Sequence, residues 1–198
     1  MMMIILRKIY AFLLDSVQTF LIAAAVFLFI YALLFRPFEV KGDSMFPNFH
    51  DGEYVITNLI GFEDLKFYHA TFAKLKLGDV VVFKAPPATQ NTDKDYIKRV
   101  IGVADDTVAL KDGNIYLNGK LLDESAYLKP DVKTYGGAFL KDGDTVKVPA
   151  NQYFVMGDNR MYSSDSREWG FVTRDEMVGG SIFVYWPLNQ IRLVKNPY

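Results

Sequence analysis

The stretch GDVVVF, residues 78–83, sets four apolar side chains in a row behind a turn-forming Gly-Asp pair. Successive side chains of a strand point to opposite faces, so a strand with one wet face alternates apolar and polar residues. Four consecutive apolar residues need cover on both faces, which predicts a central strand. DYIKRVIGV, residues 95–103, has a period of two that puts Tyr96, Lys98 and Val100 on one face and Ile97, Arg99 and Ile101 on the other. Each face of this second strand therefore combines a cation with apolar neighbours.

Around these two runs, EYVIT (53–57), DTVALKDGNIYLNGK (106–120) and DTVKVPANQYFVMGDNR (144–160) carry β-branched and aromatic residues broken by turn formers. The Asp-Gly pairs in VALKDGNIYLNG and LKDGDTVKVP predict two hairpins. Between them ESAYLKPDVKTYGGAF, residues 124–139, is polar and turn-rich, and is expected to be a loop excursion rather than core. The predicted class is mainly β: an antiparallel sheet domain in two parts, residues 37–104 and 153–198, with an inserted β subdomain over residues 105–152. Residues 58–75 fit either a short helix or an irregular loop. No internal repeat or low-complexity tract is present.

Upstream, SVQTFLIAAAVFLFIYALLF, residues 16–35, carries no charge. About twenty apolar residues at 1.5 Å rise match the ~30 Å hydrocarbon core of a bilayer, so residues 1–36 are expected to be a single transmembrane anchor. A cleavable signal has a shorter apolar stretch of ~7–15 residues. Arg7 and Lys8 before the span favour an inside N-terminus, which would leave the rest of the chain on the extracytoplasmic face of the cell membrane. The formal charge of -1, from 22 basic and 23 acidic residues, leaves no electrostatic footprint for nucleic acid. The sequence has no cysteine and two histidines, His50 and His69, which removes thiolate chemistry and imidazole-rich metal sites. No metal or cofactor is expected.

Hydroxyl, carboxylate and amine groups remain as candidate chemistry. In KGDSMFPN, residues 41–48, Ser44 sits on a loop between Gly42 and Pro47. Gly42 is expected to let backbone approach closely, and Pro47 to stiffen the exit, so that the loop offers a main-chain N–H to an oxyanion. A serine hydroxyl is a weak nucleophile until a base takes its proton. Lys98, packed beside Tyr96 and Val100, supplies that base if burial penalises the ammonium enough to bring its pKa from ~10.4 toward neutrality. His50 is a rival base only six positions from Ser44, but its Asp-Gly flank predicts an exposed turn. Trp169 and Trp186 are candidates for interfacial anchors or for core filling.

The ordered set of an apolar span, GDSMFPN, GDVVVF, YIKRVIG and MGDNRMYSSDSREWG resembles the type I signal peptidase family over nearly the whole chain. The resemblance implies a membrane-bound serine endopeptidase that removes signal peptides from exported preproteins after small residues. By position it implies Ser44 as nucleophile and Lys98 as general base, with Ser163 hydrogen-bonded to that lysine. It further implies two structural ion pairs, Arg99 with Asp158 and Asp165 with Arg167. Without the resemblance, Asp158, Asn159 and Arg160 would be a hairpin turn with surface charges. The chain departs from the family pattern at Gly42, where some members carry an oxyanion-stabilising serine, at Asn48 for threonine, at Met161-Tyr162 for Asp-Asn, and at Ala104-Asp105 for Pro-Gly.

The expected partners are exported preproteins and the lipid bilayer, with no nucleic acid. The cleavage segment is expected to add as a strand at the sheet edge near the nucleophile and near residues 82–85. Three rivals stand beside this expectation: a self-cleaving repressor-type Ser–Lys protease, which would carry a DNA-binding domain in place of the span; a narrow-specificity processing peptidase; and an inactive, membrane-anchored peptide-binding β module.

Overall fold

The computed structural model describes residues 2–59, 75–89 and 94–198, so most of the 58–75 segment and His69 lie outside the described residues. The chain divides into two units, Met1–Phe35 and Arg36–Tyr198. Helix α1, Met2–Leu34, forms the first. It begins at Met2 and not at Ser16, because residues 2–15 contain neither Gly nor Pro to stop it. Among the described residues it is the one helix long and apolar enough to cross a membrane, with a mean hydropathy of 2.0.

The second unit is built on an eight-stranded sheet. Its strands are β1 (Phe35–Glu39), β2 (Tyr54–Leu59), β3 (Val80–Lys84), β4 (Asp95–Gly102), β9 (Gln152–Met156), β10 (Val172–Thr173), β11 (Met177–Trp186) and β12 (Arg192–Leu193). They run in the order β1-β2-β11-β3-β4-β9-β10, with β12 paired to β11. The pairings among β2, β3, β4 and β9 to β12 are antiparallel. Val80, Val81, Val82 and Phe83 of β3 are all 2% exposed or less, as the run of apolar residues requires of a central strand.

The longest strand, β11, went unrecognised in the sequence because Gly179-Gly180 interrupts its apolar pattern. Those glycines have a packing reason: a Cβ on Gly179 would overlap the carbonyl of Asn58 on β2, so only glycine allows the two strands this approach. The central position of β3 narrows the expected docking edge: Val82 and Phe83 pair with β11 on one side and β4 on the other, so an edge near the nucleophile is not offered by β3 at these two residues.

A smaller four-stranded sheet, β7-β6-β5-β8, falls between β4 and β9 in chain order. It comprises β5 (Thr107–Lys111), β6 (Asn114–Leu117), β7 (Lys120–Leu121) and β8 (Thr145–Lys147). Asp112 and Gly113 both take positive φ, the geometry of a two-residue hairpin turn, and join β5 to β6. The second Asp-Gly pair makes no hairpin. It leads into β8, whose partner is β5, because Leu140 just before it is drawn fully into the core. The two sheets share that core: Ile101, Phe154 and Met156 pack with Val108, Leu110, Ile115 and Leu140. The 124–139 segment contains no strand or helix, yet Tyr127, Leu128 and Thr134 are buried, so it is less peripheral than its polarity predicts. Asp105, where the family pattern has glycine, holds the turn after β4 at a φ of 74°.

Candidate active site

The Ser44 loop is fixed from below. Met45 and Phe49 are buried in the cluster with Val40, Val55, Val80 and Val82, so the loop cannot lift without exposing both. Gly42 takes a φ of 81° and has open space around its Cα. Its role is therefore the left-handed backbone, not the close approach expected from the sequence. Its N–H donates to Asp51 Oδ1 at 2.6 Å, closing the loop. From above, Asn159 N–H donates to the Ser44 carbonyl and Asn159 Nδ2 to the Asp43 carbonyl, each at 3.0 Å.

Strand β4 brings Lys98 to this loop. Its Nζ donates to Ser44 Oγ at 2.7 Å and to the Ile97 carbonyl at 2.9 Å. Lys98 is only 4% exposed. Burial pushes its pKa down to about 8, against an opposing pull from Asp165 and Asp158. The Ser163 hydroxyl is not hydrogen-bonded to Lys98 as the resemblance implied: its Oγ is buried and has no hydrogen-bond partner among the described residues. The lysine's own strand supplies the second acceptor through Ile97.

Two buried ion pairs frame the pair. Arg99 clasps Asp158 through Nε at 2.8 Å and Nη2 at 2.6 Å, and donates from Nη1 to the Gly78 carbonyl. Arg167 clasps Asp165 at 2.8 and 2.7 Å, while Asp165 caps the short helix α2, Ser166–Trp169, and accepts the Gly157 N–H. Asp158 and Arg160 are each 2% exposed, which overturns the plain view of GDNR as a surface turn. Arg160 is occupied by Glu124 and Thr134 from the loop segment and by the Gly157 carbonyl. In each case a bidentate partner offsets the desolvation of the guanidinium.

In front of Ser44 and Lys98 lies a cleft of about 280 Å³. One wall is the 38–43 segment and the other is the start of β4, with Val55 and Val82 between them. β4 pairs with β3 from Asp95 onward but with β9 only from Arg99 onward. Among the described residues no strand pairs with the β9 side of 95–98, which lines the cleft and whose Ile97 carbonyl accepts from Lys98 Nζ. Among the described residues no His/Cys/Asp/Glu group could hold a metal ion.

The family model for "Signal peptidase, peptidase S26" matches residues 13–186. The chain belongs to this signal peptidase family. It is 37% identical over 182 residues to Signal peptidase I T of Bacillus subtilis, covering 90% of this chain and 88% of that one. Identity to a Signal peptidase IB of Staphylococcus aureus is 34% over 196 residues, covering 93% and 95%. A solved signal peptidase I from Enterococcus faecalis, 28% identical, covers 56% of this chain and 98% of that one with a TM-score of 0.44. Membership makes the chain a serine endopeptidase.

Several residues that build this signal peptidase site carried no signal of their own in the sequence. Asn48 donates to Asp158 at 2.9 Å and to the Tyr127 carbonyl at 2.8 Å, so this departure from threonine ties the serine loop to the ion pair. Gly157 is tightly packed behind the serine: a Cβ there would overlap both Ser163 Oγ and the Ser44 carbonyl. His50 is half exposed and sits against Glu53 at 3.4 Å, away from the cleft. Trp169 packs on Phe83 and fills core space, whereas Trp186 is 49% exposed.

Proposed function

We propose that this signal peptidase family member is a membrane-anchored endopeptidase that removes N-terminal signal peptides from exported preproteins with a Ser44–Lys98 dyad. The observation that carries the proposal is the 2.7 Å contact between a serine hydroxyl and an amine that burial keeps from full protonation. With Lys98 neutral, that hydrogen bond runs from the Ser44 O–H to the amine lone pair. The Ser44 oxygen attacks the scissile carbonyl while its proton passes to Nζ. The oxyanion takes the Ser44 N–H, which donates to no group among the described residues. Collapse breaks the C–N bond, and the Lys98 ammonium protonates the leaving amine. An acyl ester on Ser44 remains. Lys98 then takes a proton from water as it adds to the ester, and returns it to the Ser44 oxygen when the signal peptide leaves.

The preprotein enters as a strand between the 38–43 segment and the β9 side of residues 95–98, since β3 is paired on both sides at Val82 and Phe83. Phe38, Val40, Val55 and Val82 leave space for small apolar side chains and exclude bulk by steric clash. Arg99, Asp158, Asp165 and Arg167 act as supports, and Gly42 shapes the loop. Helix α1 anchors the enzyme with its N-terminus inside, and the second unit works on the extracytoplasmic face. The test is cleavage of a purified preprotein by full-length enzyme in detergent, with S44A and K98M beside it. Cleavage by wild type and none by either variant is expected; turnover by either variant would refute the dyad.

A further inference from the structure

We infer that Tyr198 is a positioning residue for the active site, part of a strap formed by Asn196, Pro197 and Tyr198 that holds the ion-paired frame from outside the cleft. This rests on the Ser44–Lys98 assignment above, but not on the substrate.

The strap covers a turn that β4 depends on. Asn196 Nδ2 donates to the Leu77 carbonyl at 2.8 Å and to Asp79 Oδ1 at 2.7 Å, and its Oδ1 accepts the Tyr198 N–H. Tyr198 lies so close to Gly78 that a Cβ on that glycine would come within 2.6 Å of the Tyr198 ring. Gly78 is the residue whose carbonyl receives Arg99 Nη1 and whose N–H bonds Val100. The strap therefore closes over the backbone that fixes Arg99, the neighbour of Lys98.

A second arm reaches the serine loop. Tyr198 Oη donates to the Asp123 carbonyl at 2.7 Å and lies 3.3 Å from Tyr127 Oη. The Tyr127 ring carries the Arg99 guanidinium at 4.2 Å, and its hydroxyl donates to Glu124. Glu124 holds Arg160, Arg160 holds the Gly157 carbonyl, and Asn159 between them holds the Ser44 carbonyl. Both arms end on the frame of the pair, and Tyr198 does not line the cleft in front of it. Its loss should misplace the reacting groups without touching bound substrate.

The experiment compares full-length Y198A and Y198F with wild type in detergent, using hydrogen exchange of the Asn159 amide and preprotein cleavage at a temperature where melting curves show all three folded. In Y198A, exchange at Asn159 should rise about tenfold and kcat should fall about tenfold with KM within twofold. Y198F, which keeps the ring against Gly78 but loses the hydroxyl that reaches Asp123 and Tyr127, should recover part of the lost kcat and leave Asn159 exchange raised. Unchanged Asn159 exchange in Y198A overturns the inference, as does a rise in KM with kcat unchanged. If wild type fails to cleave, the proposed function falls, while exchange at Asn159 still decides the role of the strap.

Discussion

Lys98 links the chemistry to stability with a definite sign. Its pKa falls on folding from 10.5 to about 8, so the unfolded chain binds more protons between those values. Folding stability should rise with pH across that window, and the penalty is full below it. Replacing Lys98 by Met removes the penalty: K98M should be the more stable protein at pH 7, by up to about 3 kcal/mol. That advantage should disappear by about pH 10.5, as thermal melts of the two proteins at both pH values would show. With the proposed Ser44–Lys98 dyad, catalysis follows the same titration. Wild-type kcat/KM should climb about tenfold per pH unit below 8 and level off above it, because only the neutral amine accepts the serine proton. Gly157 provides a separate check. G157A should lower kcat about a hundredfold with little change in KM, since its methyl group displaces Ser44 and Ser163 from behind. Residue chemistry made Ser44 and Lys98 candidates, and the resemblance to the family singled them out; their 2.7 Å contact across 54 positions could not be read from either stretch alone. The roles of Gly157, Asn159 and Asn48 were not legible, because their partners lie on loops distant in sequence and no local pattern announces which carbonyl an amide will meet.

At the scale of elements, the β9 side of residues 95–98 makes a prediction about the substrate. If the preprotein pairs with residues 95–98, N-methylation of a backbone amide just before the scissile bond should cut kcat/KM about fivefold, the worth of one hydrogen bond of ~1 kcal/mol. Methylation at several positions in turn, with no effect at any, would exclude strand addition. Most strands were readable because β-branched runs and Asp-Gly turns act locally. β11 was not, since its glycines answer to the backbone of β2. The supposed hairpin at Asp142-Gly143 failed for a related reason: turn chemistry specifies a reversal, but Leu140 decides which strand lies beside it. Which strand supplies the edge near the nucleophile was not legible, because strand order is set by long-range pairing, which an apolar run does not encode.

For the whole molecule, the division at Phe35 and Arg36 predicts that the second unit folds without α1. A variant beginning at Arg36 should cleave a short soluble peptide at close to the full-length rate. On a preprotein held in vesicles it should lose a factor of 10² or more, because tethering both partners to one bilayer raises their effective concentration. Equal rates on vesicle-held preprotein would show that α1 contributes nothing to encounter.

The contact between Lys98 and Ser44 joins residues 54 positions apart, and Asn159, which steadies the serine, comes from later still. A chain still emerging from the ribosome, or one partly unfolded, therefore has a serine and a lysine but no protease. On the proposed dyad, hydrolytic power arrives only with the finished tertiary structure.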